Sequence, residues 1–298
     1  MNVSETIFEQ LRKLTILALF SDDDLMEILV LKGGNALELA YKLHSRASMD
    51  IDVSMEKDFQ DFGLTLEEVR EKIERSLQRT FKEEGFLAFD LTLKERPKMR
   101  KQVIDKHWGG YAAEFKVIRL ADVKRIGDDL EKLRRESLPV SGGKKIIKVD
   151  ISKYEFTDPS EETDFEDYLI RVYTPRMIIF EKLRAICQQM PDYTRLMNSS
   201  SSPRPRDFYD IYMVTENLEP NLKFGSPENL EMIRNFFEVK KVPLALLGKV
   251  KESAVKDFHA SGFSAVKDTI KGHIDVQPFD FYYDYVIHKI EEMESLWA

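Results

Sequence analysis

The stretch LVLKGGNALELAYKLHSRASMDIDV, residues 29–53, constrains the fold of this chain more than any other. Leu29-Val30-Leu31 is a short apolar run of buried-strand character, and Gly33-Gly34 ends it. Leu37, Leu39, Ala40 and Leu43 then make a helical stripe within residues 35–44. Met49-Asp50-Ile51-Asp52-Val53 alternates with period two and reads as a second strand, although aspartate is a poor strand former. Residues two apart on a strand share a face. Asp50 and Asp52 would therefore stand side by side and repel unless something positive lies between them.

The pattern continues on both sides. Residues 1–20 repeat apolar positions at helical spacing, and Asp22 to Asp24 can cap a second short helix. Leu64 to Glu84 is an amphipathic helix. Phe86 to Thr92, Tyr111 to Leu120 and Lys145 to Ile151 alternate as strands. The charged segment 121–145, ending in Ser141-Gly142-Gly143, reads as an insertion or mobile loop containing a short helix. After Thr174-Pro175, a cap followed by proline at the first helical position, the chain turns helical to its end. NSSSSPRPR at 198–206 reads as a flexible connection between helices. The expected class is α/β (α+β): a small mixed sheet with helices over residues 1–173, then a mostly helical domain over 174–298 that closes the cleft.

Composition narrows the function. The 298 residues carry a net charge of −8, which argues against a surface coated in basic groups for nucleic acid. One cysteine, Cys187, excludes an internal disulfide framework and fits a reducing cytoplasm. No apolar run approaches the roughly 20 residues of a membrane span, and the N-terminus is too mixed and charged for a signal peptide.

A third acid, Asp150, ends a later strand. Three carboxylates on neighbouring strands call for cations, and hard carboxylate oxygens suit Mg²⁺ or Mn²⁺. Paired ions clamp the attacking and leaving oxygens of a phosphoryl displacement. A glycine turn opening a helix adds close backbone approach and N–H groups for phosphate. Asp50, Asp52 and Asp150 are thus candidate metal ligands and catalytic residues of a nucleotidyl-transfer site.

The ordered motifs KGGNALELAY, RASMDIDV, KLRAI and RDFYDIY resemble the AbiEii-type toxins of type IV toxin–antitoxin and abortive-infection systems, within the DNA polymerase β-like nucleotidyltransferase superfamily. The resemblance spans about residues 28–215. Asn35 stands where the family usually has Thr or Ser, and can still cap its helix. The resemblance implies a nucleotide-binding set of Lys32, Gly33, Gly34, Asn35, Arg46, Ser48, Lys182 and Asp207, with Asp207 rather than Asp210 facing the site. It implies transfer of a nucleoside monophosphate from a nucleoside triphosphate donor to an RNA, such as tRNA, or to a protein acceptor, and an antitoxin encoded nearby.

Each feature also has a plainer reading. Gly33-Gly34 alone is a tight turn, Asp50 and Asp52 are edge-strand charges, and Asp150 is a strand-end aspartate. Arg46 and Ser48 order a loop, and Lys182 is a snorkelling surface lysine. The alternative function is a catalytically inactive nucleotide- or nucleic-acid-binding module. The basic stretch 94–108 could touch a phosphate backbone or be a solvated hairpin. The five histidines show no metal spacing, and Cys187 lies on an apolar helix face.

Overall fold

The computed structural model describes residues 3–43, 50–97, 108–140, 144–270 and 275–297. Helix α1 (Val3–Phe20) leads to α2 (Asp23–Ile28), where the Asp22 carboxylate accepts the Leu25 N–H at 3.2 Å. Strand β1 (Val30–Leu31), helix α3 (Gly33–Leu39) and strand β2 (Ile51–Ser54) follow. Helix α4 (Leu66–Glu83) opens on a Thr65/Glu68 capping box, in which each side chain bonds the other's backbone N–H. The long strands β3 (Phe86–Arg96) and β4 (Gly110–Arg119) precede α5 (Leu120–Ile126) and α6 (Leu130–Glu136). Strands β5 (Ile147–Ser152), β6 (Glu161–Phe165) and β7 (Tyr168–Val172) complete the sheet.

Among the described residues the sheet has the order β3-β4-β5-β2-β1-β7-β6. The pairs β2–β5 and β1–β7 are parallel, and the rest are antiparallel. The mixed sheet is the one expected. Its β6–β7 hairpin is not legible in the sequence, because EETDFED lacks apolar alternation and its edge strand is largely exposed.

The segment 121–145, expected to contain one short helix, holds two in its described part. Leu133 of α6 joins Phe89 and Ile118 in a small core of its own, with Val123 and Ile126 of α5 against it. Asp90, in a left-handed conformation at a bulge in β3, accepts Arg134 Nε–H at 2.9 Å and Nη2–H at 2.6 Å and pins α6 to the sheet. Part of the charge of this segment is thus an anchor to the sheet.

From Thr174 the chain is helical: α7 (Pro175–Cys187), α8 (Pro191–Met197), α9 (Pro205–Leu218), α10 (Pro227–Glu238), α11 (Leu246–Lys249), α12 (Ser253–Ala260), α13 (Phe263–Lys267) and α14 (Phe279–Glu291). Thr174 caps α7 by accepting the Met177 N–H. One continuous hydrophobic core runs from Leu11 to Met293, through the sheet and into the α7–α9–α14 packing. The helical half is therefore fixed against the sheet, and the two together frame a cleft.

Candidate active site

The parallel pairing of β2 and β5 sets Asp52 and Asp150 as direct register partners. Asp50 lies one residue before β2, and the Asn35 amide donates to its backbone oxygen at 2.6 Å. Gly33 starts α3 with φ +66°, and a methyl group there would come within 3.3 Å of Asp52 Oδ2. Glycine is required for both reasons: an L side chain strains that backbone, and it would press on the carboxylate. The backbone N–H of Lys32 donates to the Asp52 carbonyl at 3.0 Å, locking turn to strand.

A cavity of about 1100 Å³ opens over these residues, lined by Gly33, Gly34, Asp50, Asp52 and Asp150 on one side and by Lys182 and Asp207 on the other. Lys182 is buried in α7 and bonds Asp210 at 2.7 Å and Asp207 at 3.1 Å. It is not a snorkelling surface lysine. Asp207 lines the cavity, whereas Asp210 is almost fully enclosed behind it. The capping expectation for Asn35 is corrected: the N-cap of α3 is Lys32, and the Asn35 side chain is wholly buried and supports Asp50 through its backbone oxygen. Arg46 and Ser48 lie outside the described residues, as does most of the basic stretch 94–108.

The electrostatics of the floor are uneven. Burial raises the Asp52 carboxyl above its ordinary value; Lys32 opposes that, while Glu181, Asp150 and Asp50 add to it. Asp150 is held by Lys148 of its own strand. Among the described residues, no three His, Cys, Asp or Glu side chains are gathered as a ready metal cage. The donor chemistry nevertheless fits a hard divalent cation: carboxylate oxygens on adjacent strands, one of them buried and pressed by its neighbours' negative charge.

Sequence reasoning missed the ion-pair network that surrounds Lys32 beneath the cleft. Lys32 Nζ lies 2.7 Å from Glu181 and 3.9 Å from Glu155. Glu155 also meets Arg184 at 2.9 Å and Lys240 at 3.2 Å, and these cations hold its carboxyl well below the ordinary range despite burial. Glu181 and Arg184 flank Lys182 inside the EKLRA segment, a signal available in the motif. Glu155 and Lys240 lie in unremarkable sequence, and only folding brings them in.

The family described as nucleotidyl transferase AbiEii toxin, type IV TA system, matches residues 15–285. The chain belongs to the AbiEii family. As a member of that family it is a nucleotidyltransferase, and the Gly-Gly, Asp-x-Asp and Lys…Asp motifs of this AbiEii chain are the residues found around the cavity. A search of curated proteins finds no match. Solved structures similar to it include a Helicobacter pylori protein provisionally assigned as a nucleotidyltransferase, at 15% identity and TM-score 0.49, covering 99% of this chain and 97% of that one. Another is JHP933 from Helicobacter pylori, at 15% identity and TM-score 0.46, with 99% and 94% covered. A third is an antigenic nucleotidyltransferase-like protein from Paracoccidioides brasiliensis, at 15% identity and TM-score 0.34, with 82% and 93% covered.

Proposed function

We propose that this AbiEii chain transfers a nucleoside monophosphate from a nucleoside triphosphate to an RNA, such as tRNA, or to a protein acceptor, with Mg²⁺ or Mn²⁺ as cofactor. The observation that carries this reading is the register pairing of Asp52 with Asp150 directly beside Gly33, in one cavity with Lys182 and Asp207. Asp50, Asp52 and Asp150 would hold the metal, which when bound supplies positive charge to the transferring phosphoryl group. Gly33-Gly34 lets the triphosphate approach the backbone, and Lys32 and Lys182 present ammonium groups to it. Asp150 accepts the proton of the acceptor hydroxyl. The freed oxygen forms a bond to the α-phosphorus as the bond to the β-phosphate bridging oxygen breaks, releasing pyrophosphate. The helical part, with its domain boundary at 173/174, forms the opposing wall and keeps water from the donor.

As a toxin of a type IV system, the chain would act in the cytoplasm beside an antitoxin encoded nearby. Among the described residues no helix is long and apolar enough to cross a membrane. An inactive binding module is disfavoured, since all three acids and both glycines are present.

The test is incubation with Mg²⁺, labelled nucleoside triphosphates and total bacterial RNA or protein. Labelled macromolecule from wild type, and none from Asp52→Asn, is expected. Nucleotide binding without labelling under any metal would reassign the chain as a binding module. Expression without the neighbouring gene should slow bacterial growth, and Asp52→Asn at matched abundance should not.

A further inference from the structure

The buried charges under the cleft do not balance around Lys240. Three cations share Glu155: Arg184 at 2.9 Å, Lys240 at 3.2 Å and Lys32 at 3.9 Å. Arg184 and Lys32 have a second acid in Glu181, at 3.7 and 2.7 Å. Among the described residues, the ammonium of Lys240 has only its share of Glu155 and the carbonyl oxygen of Lys153 at 2.8 Å. The lysine is 3% exposed, and its surface lies on the cleft. Its backbone is held in place, because the Tyr193 hydroxyl donates to its carbonyl at 2.9 Å.

A buried cation without a full counter-charge is costly unless an anion completes it. Burial, with Arg184 and Lys32 beside it, pulls the Lys240 amine down to about 8 against the attraction of Glu155. Lys32 immediately precedes Gly33-Gly34, and the ammonium groups of Lys32 and Lys240 meet the same Glu155 oxygen, Oε1. Lys240, Lys32 and the Gly33-Gly34 turn line the same cavity, so an anion that completed Lys240 would share that cavity with the turn.

We propose that Lys240, reaching in from the helical half, is a phosphate-binding residue of this cleft, and that the polyphosphate end of the donor nucleotide is the anion it binds. This rests on the nucleotidyl-transfer reading of the site and adds a residue from the loop after α10 that no motif marks. It also gives the helical half a second charged contact with the donor, beside Lys182.

The test uses the full chain and sodium tripolyphosphate without divalent metal, followed by calorimetric titration. Wild type should bind, and Lys240→Met should bind at least tenfold more weakly. Its melting temperature without ligand should be unchanged or raised, since Lys32 and Arg184 still match Glu155 and Glu181. Lys240→Arg should keep the affinity within a few-fold. Equal affinity in wild type and Lys240→Met overturns the assignment. So does an effect on binding of a 5′-hydroxyl oligoribonucleotide alone, which would give Lys240 to the acceptor. If Lys240→Met does not fold, acetylation of wild type read by mass spectrometry decides. Tripolyphosphate should slow modification of Lys240 at least tenfold, and a Lys240 that is unprotected, or that never reacts, ends the proposal. Label transfer by wild type with a null result at Lys240 removes this inference alone. Tripolyphosphate bound through Lys240 without any label transfer removes the enzymatic reading alone.

Discussion

Asp52 and Asp150 are register partners on two parallel strands, and Gly33 leaves the space in which the first of these carboxylates stands. The two acids are far apart in sequence, yet their spacing is set by backbone hydrogen bonds and not by side-chain rotamers. That gives the pair a rigid footing.

Gly33→Ala tests this footing. The added methyl meets Asp52 Oδ2 at 3.3 Å, and the φ of +66° disfavours any L residue there. The strain costs about 1 kcal/mol of stability, a loss the fold should survive. Displacing Asp52 by part of an ångström should lower transfer roughly a hundredfold. Rates for the purified variant near those of wild type would remove the turn from the site.

Asp52→Asn should stabilise the metal-free chain. It removes a buried charge that is pressed by Glu181, Asp150 and Asp50. The metal-free variant should therefore melt at or above the wild-type temperature. Mg²⁺ with a triphosphate should raise the wild-type melting temperature and leave the variant's unchanged. An identical metal response in both proteins would contradict the ligand assignment.

Lys182→Ala should weaken nucleotide binding, and it should also destabilise the fold. The residue is buried, and its removal leaves Asp207 and Asp210 facing each other without their shared cation. Breaking such a buried pair from one side typically costs about 3–5 kcal/mol. Adding Asp210→Asn should restore part of the loss, which a double-mutant cycle by thermal melting can measure. A fully stable Lys182→Ala would show the network to be dispensable.

His259 predicts an acid limb. It is fully buried and accepts the Arg204 backbone N–H at 2.9 Å through Nδ1, so it must be neutral there. Burial pulls its pKa from 6.5 down to about 4. Because the unfolded chain takes up the proton first, this contribution is complete above pH 6.5 and is lost as pH falls towards 4. The total is about 3 kcal/mol. His259→Asn, which keeps an acceptor and cannot titrate, should flatten the melting temperature across that window. A parallel decline in both proteins would place the acid sensitivity elsewhere.

The local elements around the cleft were determined by the sequence alone. The Gly-Gly break, the Asp-x-Asp alternation and the Thr174-Pro175 start follow from backbone rules that act over a few residues. Asp22 and Thr65 cap helices for the same reason. Tertiary structure decided what each polar group meets. It turned Asn35 from a cap into a buried support for Asp50, and Lys182 from a helix lysine into the centre of a two-carboxylate pair. It also brought Glu155 and Lys240, from a loop after β5 and a loop after α10, under the glycine turn. Ion pairs of that kind leave no periodic trace, because their energy comes from distance and burial in space, and a sequence records only order along the chain.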